Sequence, residues 1–383
     1  MNKPRDLCVT RLKRVVVKVG SNVLTADQSL NLHAIRAISR QICRLMDRGI
    51  EVILVSSGAM ASGVRKIGLA RRPDEIPGRQ AVAAVGQAGL ILEYEKAFHR
   101  YGRKVAQILL TSEDLANRVR YLNARNTLNV LLSWNIVPIV NENDTVMIDE
   151  ITFGDNDTLA AMITLLMDAD LLILLTDIDG LFTSDPRVHD DAELISEITA
   201  ITRSVERIAS GIPGALGKGG MLSKIKAARK VTSAGVPMII ARGDRPDILP
   251  KLLAGRSLGT YFVANERKLA RRKCWIAFSL KPKGTITIDD GAVRAILQNG
   301  KSLLPSGIVA AEGDFGVGAP VECCNRTRES LGIGLVNYSA ADIRRIMGLK
   351  TSKIRSVLGY KPYDEVIHRD NLAITARYRY KEE

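Results

Sequence analysis

Two short polar stretches concentrate the chemistry of this chain. Asn141-Glu142-Asn143-Asp144 closes an apolar run, and Gly154-Asp155-Asn156-Asp157-Thr158-Leu159 follows a few residues later. Carboxylates can hold an ammonium group or fix a cationic side chain, and amides can donate and accept together. One Asn or Asp would suffice to cap a helix. Eight polar positions so close together exceed that need and point to a site. The elements that must carry them are legible. Ile136 to Val140 reads as a strand, and Leu159, Met162, Ile163, Leu166 and Met167 form one apolar helical stripe. A strand end beside a helix start brings side chains and backbone N–H groups together.

Other residues with chemical potential lie at similar places. Val15-Val16-Val17-Lys18-Val19-Gly20-Ser21 reads as a buried strand interrupted by a lysine. A charge there is costly without a partner; an edge-strand lysine is the alternative, and the adjoining Gly20-Ser21 favours a phosphate. Val52 to Val55 is a strand that runs into Ser56-Ser57-Gly58-Ala59 and a helix, an arrangement able to cradle an anion. Leu171 to Leu175 is the clearest buried strand and ends at Thr176-Asp177. Gly214 to Lys224 is a glycine loop carrying Lys218 and Lys224 and opening a helix to about Ala234. It is not a Walker A motif, because no Ser or Thr follows Lys218 and no strand immediately precedes it.

Further elements are a helix from Leu32 to Met46, a strand from Val105 to Leu110 and a helix from Asn117 to Leu132. Pro138 suggests that its strand starts there or lies at an irregular edge. Strands alternating with helices predict an α/β layered fold with a largely parallel sheet. Gly20-Ser21, Ser56 to Gly58, Asn141 to Asp144 and Thr176-Asp177 all fall at carboxyl ends of strands, where such sheets bind ligands. One shared rim is expected.

Composition bounds the function. The 383 residues are 46% hydrophobic and 25% charged, ordinary for a globular protein of two or three domains. The longest apolar run is far too short to span a membrane, and no secretory signal is visible, so a cytoplasmic location is expected. Cys8, Cys43, Cys274, Cys323 and Cys324 lack a C-x-x-C spacing and are expected to be reduced; the four scattered histidines give no zinc signature. The net charge of +14 is uneven: residues 267–383 hold 21 Lys/Arg and 12 Asp/Glu, a net of +9. Such an excess suits nucleic acid or phosphorylated ligands as well as a solvated face.

Taken in order, K-x-G-S, S-S-G-A, N-E-N-D, G-D-N-D, L-L-T-D-x-D-G-L and G-K-G-G-M-x-x-K resemble the amino acid kinase family from Val15 to about Phe262. The closest likeness is to members that phosphorylate glutamate. From about Pro282 to Tyr360, Ser302 to Ile308 and Gly313-Asp314-Phe315 resemble a PUA domain, a small β-rich fold found in many RNA-modifying proteins. The resemblance implies a three-layer sandwich of helices around a mainly parallel sheet, then a small β-barrel-like domain. The implied boundaries are a kinase domain at 1–268, a linker at 269–281, the PUA domain at 282–360 and a tail at 361–383. It implies ATP-dependent phosphorylation of the side-chain carboxylate of L-glutamate, with Mg²⁺ bridging the nucleotide phosphates. Lys18 and Lys224 would serve the travelling phosphoryl group, with Asp157 orienting them and Gly20 and its neighbours offering N–H donors. Ser57, Asp144 and Asn156 would hold glutamate. ATP would meet Lys18, Gly20, Thr176, Asp177 and the run Lys218, Gly219, Gly220, Met221, Leu222, Ser223 and Lys224. Lys218 departs from the family, which more often has a small polar residue there. Proline as feedback inhibitor and a homo-oligomeric state are also implied, with RNA a candidate partner of the PUA-like part and no membrane association. The alternatives are another small-molecule kinase of the family and an RNA-binding PUA protein.

Overall fold

The computed structural model describes residues 12–26, 29–146, 156–210, 220–265 and 269–375. The chain divides into two compact units, Met1–Glu266 and Arg267–Glu383.

In the first unit the strands are, in chain order, β1 (Arg14–Val19), β2 (Thr25–Ala26), β3 (Ser29–Leu30), β4 (Glu51–Ser56), β5 (Lys104–Leu110), β6 (Ile136–Glu142), β7 (Leu171–Thr176), β8 (Glu197–Ile198), β9 (Met238–Arg242) and β10 (Thr260–Phe262). β2 and β3 pair only with each other, while the other eight form one sheet in the order β5-β6-β4-β1-β7-β9-β10-β8. All its neighbours are parallel except β9 and β10. β1 is central because its run of valines can be buried on both faces, as parallel sheets require. Val15, Val17 and Val19 join a core with Ile35, Ile38 and Ile42 of helix Leu32–Met46 and with Leu90 and Tyr94 of helix Ile76–His99. By strand alternation Val16 and Lys18 face the other layer, where helix Asn156–Leu166 packs on β1.

The sheet corrects one expectation. β6 is an interior strand despite Pro138, for its ladder to β4 begins only at Ile139, one residue later. That accommodates a residue with no N–H to donate.

The 24-residue helix Ile76–His99 has no counterpart among the elements read from sequence. It buries Val82, Leu90 and Tyr94 while leaving Val85 and Leu92 exposed, so apolar residues surround it and no single stripe stands out. It meets helix Ala59–Ile67 backbone to backbone: a Cβ on Gly63 would lie 1.9 Å from the Val82 carbonyl oxygen, and one on Gly86 1.8 Å from that of Ala59. Only glycine fits either position.

The second unit holds β11 (Gly284–Ile288), β12 (Ile308–Gly313), β13 (Pro320–Cys324), β14 (Ser330–Leu335) and β15 (Leu372–Ile374), ordered β12-β11-β13-β14-β15. Its pairings are antiparallel apart from β11 with β13. A separate core contains Ile286, Ile296, Phe315, Tyr338 and Ile343. Two stretches expected outside this domain take part in it. Residues Arg271–Ser279 form a helix that packs on β14 and β15, and β15 itself lies beyond residue 360. Neither a bare linker nor a loose tail describes them.

Gly86→Ala tests the helix contact. Helix propensity alone favours alanine by up to about 1 kcal/mol, whereas overpacking costs about 1–3 kcal/mol. The expected result of urea unfolding is a lower midpoint for the variant; an unchanged or higher midpoint would refute the contact.

Candidate active site

The carboxyl ends of β6, β4, β1 and β7 lie side by side, and the chain leaves β1 for β4 on one side and reaches β7 on the other. Such a switch point opens a crevice. Three strand spacings, about 14 Å, separate its ends.

At its centre are Lys18 and Lys224, 4% and 6% exposed, and the fully buried Asp157. Lys18 Nζ pairs with Asp157 Oδ1. Lys224 Nζ donates to Asp157 Oδ2 at 3.0 Å, and Ser223 Oγ lies 2.8 Å from both Asp157 Oδ2 and the Gly220 carbonyl oxygen. Strand β1 supplies Lys18, the first turn of helix Asn156–Leu166 supplies Asp157, and the first turn of helix Met221–Ser233 supplies Ser223 and Lys224. Burial alone would raise the Asp157 carboxyl, but the two ammonium groups outweigh it and hold the carboxyl below the usual carboxylate range. The buried Lys18 thus finds a carboxylate where phosphate was expected from its surroundings in sequence. One carboxylate between two lysines leaves the trio a net charge of +1. The N–H groups that open a helix add partial positive charge at Met221 to Ser223.

Toward β4 and β6 lies an amide cluster. Asn156 Nδ2 is 2.9 Å from Ser57 Oγ, 2.9 Å from Asn141 Oδ1 and 3.3 Å from the Ser56 carbonyl oxygen. Asn141 Oδ1 also accepts from the Glu142 N–H. Asn156 Oδ1 is buried without a hydrogen-bond partner among the described residues. Asp144 opens a 3₁₀ turn past β6, and Gln87 Nε2 donates to its Oδ2 at 3.3 Å. Burial raises the Asp144 carboxyl despite that bond.

Toward β7, Asp177 is tied on both oxygens: Asn22 Nδ2 donates at 2.8 Å and Thr176 Oγ1 at 2.9 Å. Its carboxyl falls below the usual range, because these bonds outweigh burial. Gly20 N–H is already given to the Leu175 carbonyl oxygen at 3.0 Å, so the expected backbone donor is spent within the sheet. Its lack of a side chain still matters, since a Cβ would lie 3.3 Å from that oxygen and 3.8 Å from Lys18 Nζ. Met221 is buried and Leu222 half-buried, while Lys218, Gly219, Gly154 and Asp155 lie outside the described residues. Asn22, Gln87 and Asn141 were not singled out individually in the sequence. Asn141 belongs to a motif that was, whereas Asn22 and Gln87 carry no local signal.

The profile of the amino acid kinase family matches residues 13–242. A curated relative from Syntrophus aciditrophicus (strain SB), named Glutamate 5-kinase, is 51% identical over 379 residues, 99% of this chain and 98% of its own. The chain belongs to the amino acid kinase family, among the glutamate 5-kinases. Another Glutamate 5-kinase, from Geobacter sulfurreducens, is 49% identical over 371 residues, covering 97% of this chain and all of the relative. The PUA domain profile matches residues 284–358. Among solved structures, a UMP kinase from Bacillus anthracis aligns with 66% of this chain and 97% of its own at 19% identity, with a TM-score of 0.46. No helix among the described residues is long and apolar enough to cross a membrane.

Removing the central carboxylate leaves two buried cations facing each other. Asp157→Asn is expected to cost about 3–5 kcal/mol at pH 7. Because the folded carboxyl titrates below its unfolded value, its contribution is present above about pH 4 and lost as pH falls through the folded value. Urea unfolding of both proteins should therefore show a gap that narrows below about pH 4. A gap independent of pH would contradict the assignment.

Proposed function

We propose that this chain transfers the γ-phosphoryl group of ATP to the side-chain carboxylate of L-glutamate, giving γ-glutamyl phosphate and ADP, the first step of proline biosynthesis. The observation that carries the reading is the cationic trio Lys18–Asp157–Lys224 between an amide and carboxylate cluster and the Thr176–Asp177 end of β7. Glutamate is placed at Ser57, Asn156 and Asp144, its ammonium toward the Asp144 carboxylate. Its side-chain carboxylate is ionised at pH 7 and needs no general base. One of its oxygens attacks the γ-phosphorus as the bond to the β-bridging oxygen breaks, and that electron pair leaves with ADP. Lys18 and Lys224 stabilise the negative charge spread over the transferring group, and Asp157 keeps them apart and aimed.

The nucleotide is placed along Thr176, Asp177 and the start of helix Met221–Ser233, with Lys218 and Gly219 assigned to it from the sequence motif. Among the described residues no three His, Cys, Asp or Glu side chains are grouped to hold a metal ion. A Mg²⁺ would enter on the ATP phosphates, keep much of its water and supply charge neutralisation there.

Four further features belong to the proposal. Free proline, sharing the α-amino acid head of glutamate, competes at or beside the Asn141 to Asp144 and Gly154 to Asp157 stretches. The protein is a homo-oligomer, a reading supported by Val85 and Leu92, 37% and 47% exposed on one helix. RNA contact falls to the basic C-terminal unit, supported by a groove of about 650 Å³ that Lys301, His368, Arg369 and Leu304 help to line. The location is cytoplasmic.

Glutamate-dependent ADP release, followed in a coupled assay, tests the reading. Lys18→Ala and Lys224→Ala should each lower kcat on the order of 10²-fold or more while remaining folded. Near-normal kcat in either folded variant would overturn the assignment. A chain ending at Leu269 should keep glutamate-dependent turnover, since every residue assigned to the chemistry precedes it. A soluble, folded truncation without activity would show that the C-terminal unit is needed.

A further inference from the structure

We infer that Gln87 is a positioning residue for Asp144, holding that carboxylate for the substrate's ammonium group and so setting affinity for glutamate; the inference rests on the function proposed above. Gln87 lies on helix Ile76–His99 and is 6% exposed. A primary amide so buried must have its donors and its acceptor met. Its Nε2 is 3.3 Å from Asp144 Oδ2 and 3.4 Å from the Glu142 carbonyl oxygen, and its Oε1 accepts from Gln107 Nε2 at 3.0 Å. These partners fix the amide's orientation, because a flip would set Oε1 against two oxygens.

Charge explains why an amide suits this position. A lysine or arginine here would neutralise Asp144 and compete with the ammonium of the substrate. The neutral amide fixes the carboxylate's direction and leaves its charge for the ligand. Asp144 needs such support, since it begins a single 3₁₀ turn, Asp144–Val146, and among the described residues Gln87 is the side chain that donates to it. The backbone of Gln87 is in turn fixed by Gly86, which lets the helix seat on the Ala59 carbonyl oxygen. Gln107, exposed on the edge strand β5, completes a line from the sheet edge to the crevice.

Steady-state kinetics of the full chain test this. Gln87→Met keeps an unbranched side chain and removes the amide. The glutamate KM should rise about tenfold, the value of a hydrogen bond to a charged group at the weak end of its range. The ATP KM and kcat should stay within about twofold. In an Asp144→Asn background the same substitution should shift the glutamate KM less than about twofold, because both act on one interaction. Additive effects, or an equal rise in the ATP KM, would overturn the inference. If Gln87→Met fails to fold, Gln107→Leu on the exposed strand should still raise the glutamate KM in the same direction by a smaller factor; no change would count against the line. Wild-type turnover is the control: if it does not require glutamate, the proposed function fails. If it does and the variants keep the wild-type glutamate KM, only the role of Gln87 fails.

Discussion

Two buried lysines share one buried carboxylate, and the first unit is arranged so that they can. Desolvating three charges is expensive, and the attraction between them offsets the cost only with close geometry and further hydrogen bonds. Here Asp157 has one oxygen on Lys18 and the other on Lys224 and Ser223. The three charges come from a central strand and two helix starts, far apart in sequence. Any slip of β1 by one residue would turn Lys18 to the opposite face and take it away from Asp157. The valines that bury β1 between β4 and β7 therefore also fix the charge geometry. A net positive charge remains at the switch point of the sheet, where a polyanionic ligand is best placed to compensate it.

Much of this was legible from residue type and order. Lys18 within a valine run demanded a partner, but Gly20-Ser21 beside it pointed to a phosphate, and only the family resemblance named Asp157; β-branched runs and 3.6-residue stripes marked the elements themselves directly. What was not legible has physical reasons. Helix Ile76–His99 is apolar on its exposed side as well as its buried side, so its periodicity is blurred, and Gln87 went unnoticed with it. Pro138 argued against an interior strand because local rules do not see that one ladder begins after it. Gly20 looked like a phosphate donor, yet the neighbouring strand takes its N–H, a contact fixed by sheet order and invisible in the motif.

The C-terminal unit shows the same division. Its β-rich character was expected from the resemblance alone, and Phe315, one of the residues that carried it, falls in its core. The stretch before it, 269–281, was expected as a linker because it falls between the two parts that the resemblance covers. Trp275 and Ile276, both buried, make it instead a helix on the edge of that sheet. A boundary drawn from resemblance alone does not see such an element.

If the crevice joins a phosphoryl group to a side-chain carboxylate held beside the trio, the product is an acyl phosphate. An acyl phosphate reacts with hydroxylamine, so incubating the full chain with ATP, Mg²⁺, L-glutamate and hydroxylamine and quantifying hydroxamate against ADP measures the new bond itself. γ-Glutamyl hydroxamate is expected in a one-to-one ratio with ADP, and none with N-acetylglutamate, whose ammonium is blocked. ADP released without hydroxamate, or equal hydroxamate from N-acetylglutamate, would contradict it.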